Sequence, residues 1–172
     1  MKLVFDGWHK ISKIKTRIKG KEVEREFLHL KSAVGAIVID TEGKIGLVEQ
    51  YRPTVALVTL EIPAGVLDKE GLSPLETMIE ELEEECNIKK SQIVEAKPCN
   101  PNGFYMLTGS SNAYMYMYRI TVETQPEEVL VDDADVERTI WIDFDTFEEM
   151  VLSGKIIDNK TILSYFILKG EK

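Results

Sequence analysis

The chain has 172 residues, 44% hydrophobic and 30% charged, with 30 acidic against 21 basic side chains and a net charge of −9. That is ordinary globular composition, enough for one domain or a small domain with an appendage, and its acidity argues against a nucleic-acid backbone as partner. No apolar run approaches the ~18–20 residues of a membrane span. Asp6 comes too early for a signal peptide, and two cysteines, Cys86 and Cys99, suit a reducing cytosol without a disulfide framework.

His9–Ile18 alternates as a strand, Gly20-Lys21 marks a turn, and Val23–Leu30 returns. A lone hairpin cannot bury its apolar face, so this one packs on the main body or on a second subunit. Lys13, Lys15, Arg17 and Lys19 share one side of the first strand, which reads as a solvated face, and His9 and His29 lie away from any acidic cluster. The core begins at Ala33. Strands Ala33–Ile39 and Lys44–Gln50 flank the turn Asp40-Thr41-Glu42-Gly43 as a second hairpin. Further strands are expected at Val55–Ile62, Ile93–Lys97, Asn112–Thr121 and Arg138–Ile142, and helices at Pro74–Cys86, Phe144–Leu152 and Asn159–Leu168. This mixture reads as a layered α+β fold, with a unit at residues 1–31 and a main unit at 32–172, and it has no internal repeat. Tyr114, Tyr116 and Tyr118 alternate with Met115 and Met117, so the tyrosines share a strand face and are read as packing rather than as a base-stacking platform.

The helix opened by Ser73-Pro74-Leu75-Glu76 has a serine N-cap, a proline at its first position and a capping-box glutamate. It carries Glu80-Glu81-Leu82-Glu83-Glu84-Glu85, in which Glu81 and Glu85 are one turn apart and Glu84 lies beside them. Like charges at that spacing cost about a few tenths of a kcal/mol per pair. One reading is a solvated helix face. The other is a site for a hard divalent cation, which takes oxygen ligands and substrate phosphates. The stripe Leu75, Met78, Ile79 and Leu82 packs the helix, and the preceding Pro63-Ala64-Gly65 turn brings backbone carbonyls near its start.

Gly65 followed by Glu81-Leu82-x-Glu84-Glu85-x-x-Ile88 resembles the signature of the Nudix hydrolases. Gln50-Tyr51-Arg52, Leu60-Glu61-x-Pro63-Ala64-Gly65 and Gly154-Lys155-Ile156-x-Asp158-x-Lys160-Thr161 resemble its ADP-ribose pyrophosphatase branch. The resemblance implies an α/β/α layered sandwich with a mixed sheet, and an N-terminal sheet that helps form a homodimer. It implies Mg²⁺, with Mn²⁺ as substitute, held by Glu81, Glu85, Glu84 and the carbonyl of Ala64, with Arg52, Glu61 and Gly65 contacting substrate. Glu84 would bridge or orient a ligated water. The proton would go to a carboxylate on the loop before strand Arg138–Ile142, Glu137 as first choice and Asp135 as second; by composition alone that loop is an acidic solvated turn. The implied reaction is hydrolysis of a nucleotide-sugar such as ADP-ribose, to AMP and ribose 5-phosphate, by a cytoplasmic enzyme. Arg52 has a bland reading too, as a surface arginine paired with Glu49.

The signature departs from the family pattern in four places. The spacing to Gly65 is one residue longer, around Lys69-Glu70; Leu72 takes the place of an upstream glutamate; Glu80 replaces an arginine that would pair with it; and Asn87 replaces the closing glycine. Losing both partners together strands neither charge, and asparagine tolerates a left-handed helix terminus. Nearer the variable loop Cys99–Ser111, an acid usual to the branch falls on Ala113. Two rival readings follow: a degenerate module that binds a nucleotide-sugar as a sensor or regulatory subunit, and an interaction domain whose acidic helix meets a basic partner.

Overall fold

The computed structural model describes residues 1–126, 128–131 and 136–171. Among these residues the N-terminal unit is a three-stranded antiparallel sheet, with β2 (Lys10–Ile18) between β1 (Lys2–Asp6) and β3 (Lys21–His29). β2 and β3 are the expected hairpin, and Lys13 and Arg17 on its outer face pair with Glu24 and Glu22. β1 is not expected from the sequence pattern. Its residues are all exposed, and its register on β2 is irregular between Leu3 and Phe5. β3 joins the main body where the Leu28 N–H donates to the Ser110 carbonyl at 2.8 Å.

The main body is α+β. Its described residues form a nine-stranded mixed sheet from β4 (Ala33–Asp40), β5 (Ile45–Arg52), β6 (Leu57–Glu61), β7 (Ala64–Val66), β8 (Ile93–Pro98), β9 (Phe104–Tyr105), β10 (Tyr114–Val122), β11 (Glu128–Leu130) and β12 (Val136–Ile142). β4 and β10 run parallel, and the other pairings are antiparallel. Side-chain alternation sorts the core into two layers. Val34, Ala36 and Val38 of β4 and Ile120 and Val122 of β10 pack on α1 (Pro74–Cys86) through Met78, Leu82 and Cys86. Ile37, Met115 and Met117 pack on α2 (Phe144–Leu152) and α3 (Asn159–Gly170) through Phe147, Tyr165 and Leu168. Tyr116 and Tyr118 pack against the α1 layer, in keeping with a packing role. Each fully buried side chain of this kind stabilises by about 1.5–3 kcal/mol.

α1 begins and ends where its caps dictate. The Ser73 hydroxyl and the Glu76 carboxylate close a capping box, and Asn87 ends the helix at φ 55°, ψ 29°. The Ile88 N–H then returns to the Leu82 carbonyl at 3.0 Å.

One feature of the sheet positions the site. β4 and β5 pair at Val38–Gly46 and Ile39–Ile45 and then splay. β6 continues the sheet on β5 and β7 continues it on β4, so the Ile62-Pro63 connection sits in the opening of the fork. The Pro63 carbonyl accepts the Ala36 N–H there at 3.0 Å. Residues 61–65 are thereby brought against α1 on one side and α3 on the other.

Candidate active site

Glu81 and Glu85 lie on the line of α1 that meets β7. A methyl group on residue 65 would fall 2.0 Å from Glu81 Oε1 and 2.4 Å from its Cγ, so Gly65 makes room for this carboxylate. Glu85 is 7% exposed, and its Oε2 accepts the Ala64 N–H at 3.0 Å. The two carboxylates placed one turn apart by the sequence therefore meet the Ala64-Gly65 backbone directly. Their hard oxygens beside Gly65, which has no side chain, fit a cation such as Mg²⁺, which needs only one or two carboxylates when phosphates and water complete its shell. Among the described residues, no group of three or more His, Cys, Asp or Glu side chains is arranged to hold a metal ion, so the protein's share of such a shell rests on the Glu81–Glu85 pair and backbone oxygen.

Glu84 is exposed and lies on the neighbouring line of the helix, one turn beyond Glu80. Both reach Lys69, whose Nζ is 2.7 Å from Glu80 Oε2 and 3.4 Å from Glu84 Oε1. The hydrogen bond to Glu80 raises the Lys69 pKa, reinforced by the charge of Glu84. Glu80 thus has a cation partner across the loop-to-helix gap, and that cation comes from the segment that carries the extra residue.

Arg52 sits at the end of β5 on the same sheet face as Thr59 and Glu61 of β6, because Gln50 pairs with Thr59 and Arg52 with Leu57. Its Nε and Nη2 donate to Glu61 Oε1 and Oε2 at 2.8 and 2.6 Å. Thr59 donates to Glu61 Oε1 at 2.6 Å, and Lys160 of α3 donates to Oε2. Burial alone pushes the Glu61 carboxyl pKa up, but Arg52, Lys160 and Thr59 outweigh burial and bring it down to about 2. The pairing of Arg52 with Glu49 is corrected: Glu49 is the cross-strand neighbour of Arg138, which binds it through Nε and Nη2. Arg52 is about 39% exposed along its side chain and borders an open cavity of about 580 Å³, lined also by Thr54, Asp158 and Asn159. In the sequence Lys160 stands within the late motif without an assigned role, and Thr59 is not singled out. The alternation of Thr59 with Glu61 along one strand face was the available signal for Thr59.

Glu137 is exposed, at the register shift of β12 where Val136 opposes Gln50 and Arg138 opposes Glu49. Such a bulge re-aims the local side chains. Asp135 lies outside the described residues. Thr139, two residues on from Glu137, donates to the Glu85 carbonyl at 3.0 Å and so ties β12 to the end of α1. Both cysteines are free thiols; burial pushes Cys99 up to about 11 and Cys86 well above its ordinary value. Among the described residues no helix is long and apolar enough to cross a membrane.

The chain is similar in sequence to known proteins. The NUDIX domain matches residues 29–164. An ADP-ribose pyrophosphatase of Bacillus subtilis (strain 168) is 27% identical over 155 residues, spanning 87% of this chain and 80% of that protein. A methanol dehydrogenase activator of Bacillus methanolicus is 29% identical over 146 residues, spanning 84% of this chain and 76% of that protein. An ADP-ribose pyrophosphatase of Mycobacterium tuberculosis (strain ATCC 25618 / H37Rv) is 39% identical over 72 residues, 42% of this chain and 35% of that protein.

Proposed function

The chain belongs to the NUDIX domain family, and from that premise we propose that it hydrolyses the pyrophosphate bond of a nucleoside diphosphate linked to a second moiety, ADP-ribose or a related nucleotide-sugar first among them. The observation that carries the reading is the juxtaposition of Glu81 with Gly65 and of Glu85 with Ala64. Mg²⁺, or Mn²⁺ in its place, would be held by Glu81, Glu85, Glu84 and the Ala64 carbonyl and would supply the charge neutralisation a pyrophosphate needs before a nucleophile can approach. Arg52 orients the anionic substrate from the end of β5, with Glu61 fixing its guanidinium. Glu137, or Asp135, takes the proton of the attacking water. ADP-ribose would yield AMP and ribose 5-phosphate. We assign residues 32–172 to the catalytic unit and 1–31 to a homodimerisation element, whose exposed Leu3, Val4, Phe5 and Trp8 are apolar surface suited to a second copy. A cytoplasmic location goes with this reading.

The relative named as a methanol dehydrogenase activator favours a second reading, in which the module binds a nucleotide-sugar and regulates another protein without efficient cleavage. The departures at Leu72, Glu80 and Asn87 point the same way. A turnover panel with Mg²⁺ separates the two, using ADP-ribose, ADP-sugars, GDP-sugars, dinucleotides and nucleoside triphosphates. Hydrolysis led by ADP-ribose or an ADP-sugar is the expected result. Saturable binding across the panel without turnover would replace the hydrolase reading with the regulatory one.

A further inference from the structure

Glu61, Ile62, Pro63 and Ala64 are tied in turn to surrounding elements. Glu61 binds Arg52 of β5 and Lys160 of α3, and the Pro63 carbonyl takes the Ala36 N–H of β4. The Ala64 N–H goes to Glu85 of α1. The Ile62 N–H donates to Thr161 Oγ1 at 2.8 Å, and that hydroxyl donates to the helix-capping Asp158 Oδ2 at 2.6 Å. α3 thus contributes two adjacent residues, one holding backbone and one holding charge.

Lys160 is the less obvious of the two. Its side chain is 11% exposed, and its ammonium meets Glu61 and, at 3.0 Å, Asp158 Oδ2. Glu61 already has a bidentate arginine and a threonine hydroxyl, so a further cation exceeds what that carboxylate needs to be satisfied. Its consequence lies in the local sum of charge. Arg52 and Lys160 balance Glu61 and Asp158, whereas without Lys160 this wall of the cavity carries a net negative charge. An anion approaching Arg52 would then be repelled, and Arg52 would be the only cation compensating Glu61 in this cluster.

We propose that Lys160 is a positioning residue that keeps the Arg52 guanidinium available to a phosphate-bearing ligand in this cavity, by taking over part of the compensation of Glu61. The choice of a diphosphate as ligand rests on the functional reading above; the charge argument does not.

The test uses the full chain and ADP as probe, titrated calorimetrically in Mg²⁺ buffer and accompanied by thermal melts. Lys160→Met should weaken ADP binding by about 10-fold, the scale of losing one favourable charge at a binding site. Lys160→Arg should stay within about 3-fold of the original protein, because the charge is retained. The double variant Glu61→Gln with Lys160→Met restores the local sum of charge and leaves no buried carboxylate short of a partner. It should recover most of the lost affinity, and it also serves should the single variant fail to fold. Unchanged ADP affinity in folded Lys160→Met, a double variant that binds worse than Lys160→Arg by as much as Lys160→Met does, or no ADP binding by the original protein would each overturn the proposal. A lowered melting temperature without a shift in affinity would assign Lys160 a purely structural role and overturn it too. ADP binding with the expected pattern but no hydrolysis of ADP-ribose would support Lys160 as assigned while removing the hydrolase reading.

Discussion

Gly65 and Glu81 act as a unit, because a side chain on one would occupy the place of the other. Gly65 lies outside the left-handed backbone region, so replacing it with alanine strains the carboxylate rather than the chain. Gly65→Ala should leave the melting temperature within a few degrees and turn Glu81 away from β7. Turnover of ADP-ribose should then fall by about 100-fold, the scale expected of a misplacement of about 1 Å. Steady-state kinetics beside a thermal melt would check this, and near-original turnover would mean that the position of the Glu81 carboxylate is not what matters. Glu81 and Glu85 were legible because helical period alone places them on one line. The partner of Arg52 was not. Glu49 and Arg52 are three apart, which makes neighbours on a helix but opposite faces on a strand, and the partner of Arg52 is Glu61 on the adjacent strand. Strand residues choose partners through register, which a single sequence leaves open.

α1 and α2 occupy the spans expected of them because their ends are written locally, by Ser73 with Glu76 and by Asp143 accepting the Thr146 N–H at 2.7 Å. β7, β9 and β11 were not legible. They are two or three residues long, too short for a period, and exist through pairing with β4, β10 and β12. The loop from β7 to α1 carries its own local logic in the Lys69–Glu80 pair. Lys69→Glu or Glu80→Lys alone sets like charges against each other, while the double exchange restores an opposite pair. With side chains 44% and 43% exposed, the pair contributes little, and the coupling should be about 0.2–1 kcal/mol. A double-mutant cycle on the unfolding midpoint measures it. Strictly additive single changes would show that loop and helix do not meet in solution.

For the molecule as a whole, the charge of −9 sets a problem that the site solves locally. An acidic protein attracts polyanions only where cations are concentrated, and Arg52 and Lys160 converge on Glu61, three residues before the Ala64 that Glu85 of the acidic helix holds. The layered α+β fold was legible from a mixture of strands and helices that does not strictly alternate. The fork between β4 and β5 was not, because it depends on where two strands stop pairing. That fork joins the carboxylates of α1 to the cations of β5 and α3, and the proposed hydrolysis depends on the junction. Its most direct test is the release of AMP from ADP-ribose by the original protein and by Glu85→Gln, which keeps an oxygen to accept the Ala64 N–H but removes the charge. The proposed hydrolysis requires equal amounts of AMP and ribose 5-phosphate in Mg²⁺, none in excess chelator, and a fall of about 100-fold or more for Glu85→Gln at saturating Mg²⁺ with little change in melting temperature. Turnover that survives the chelator, or a Glu85→Gln enzyme close to the original rate, would contradict it.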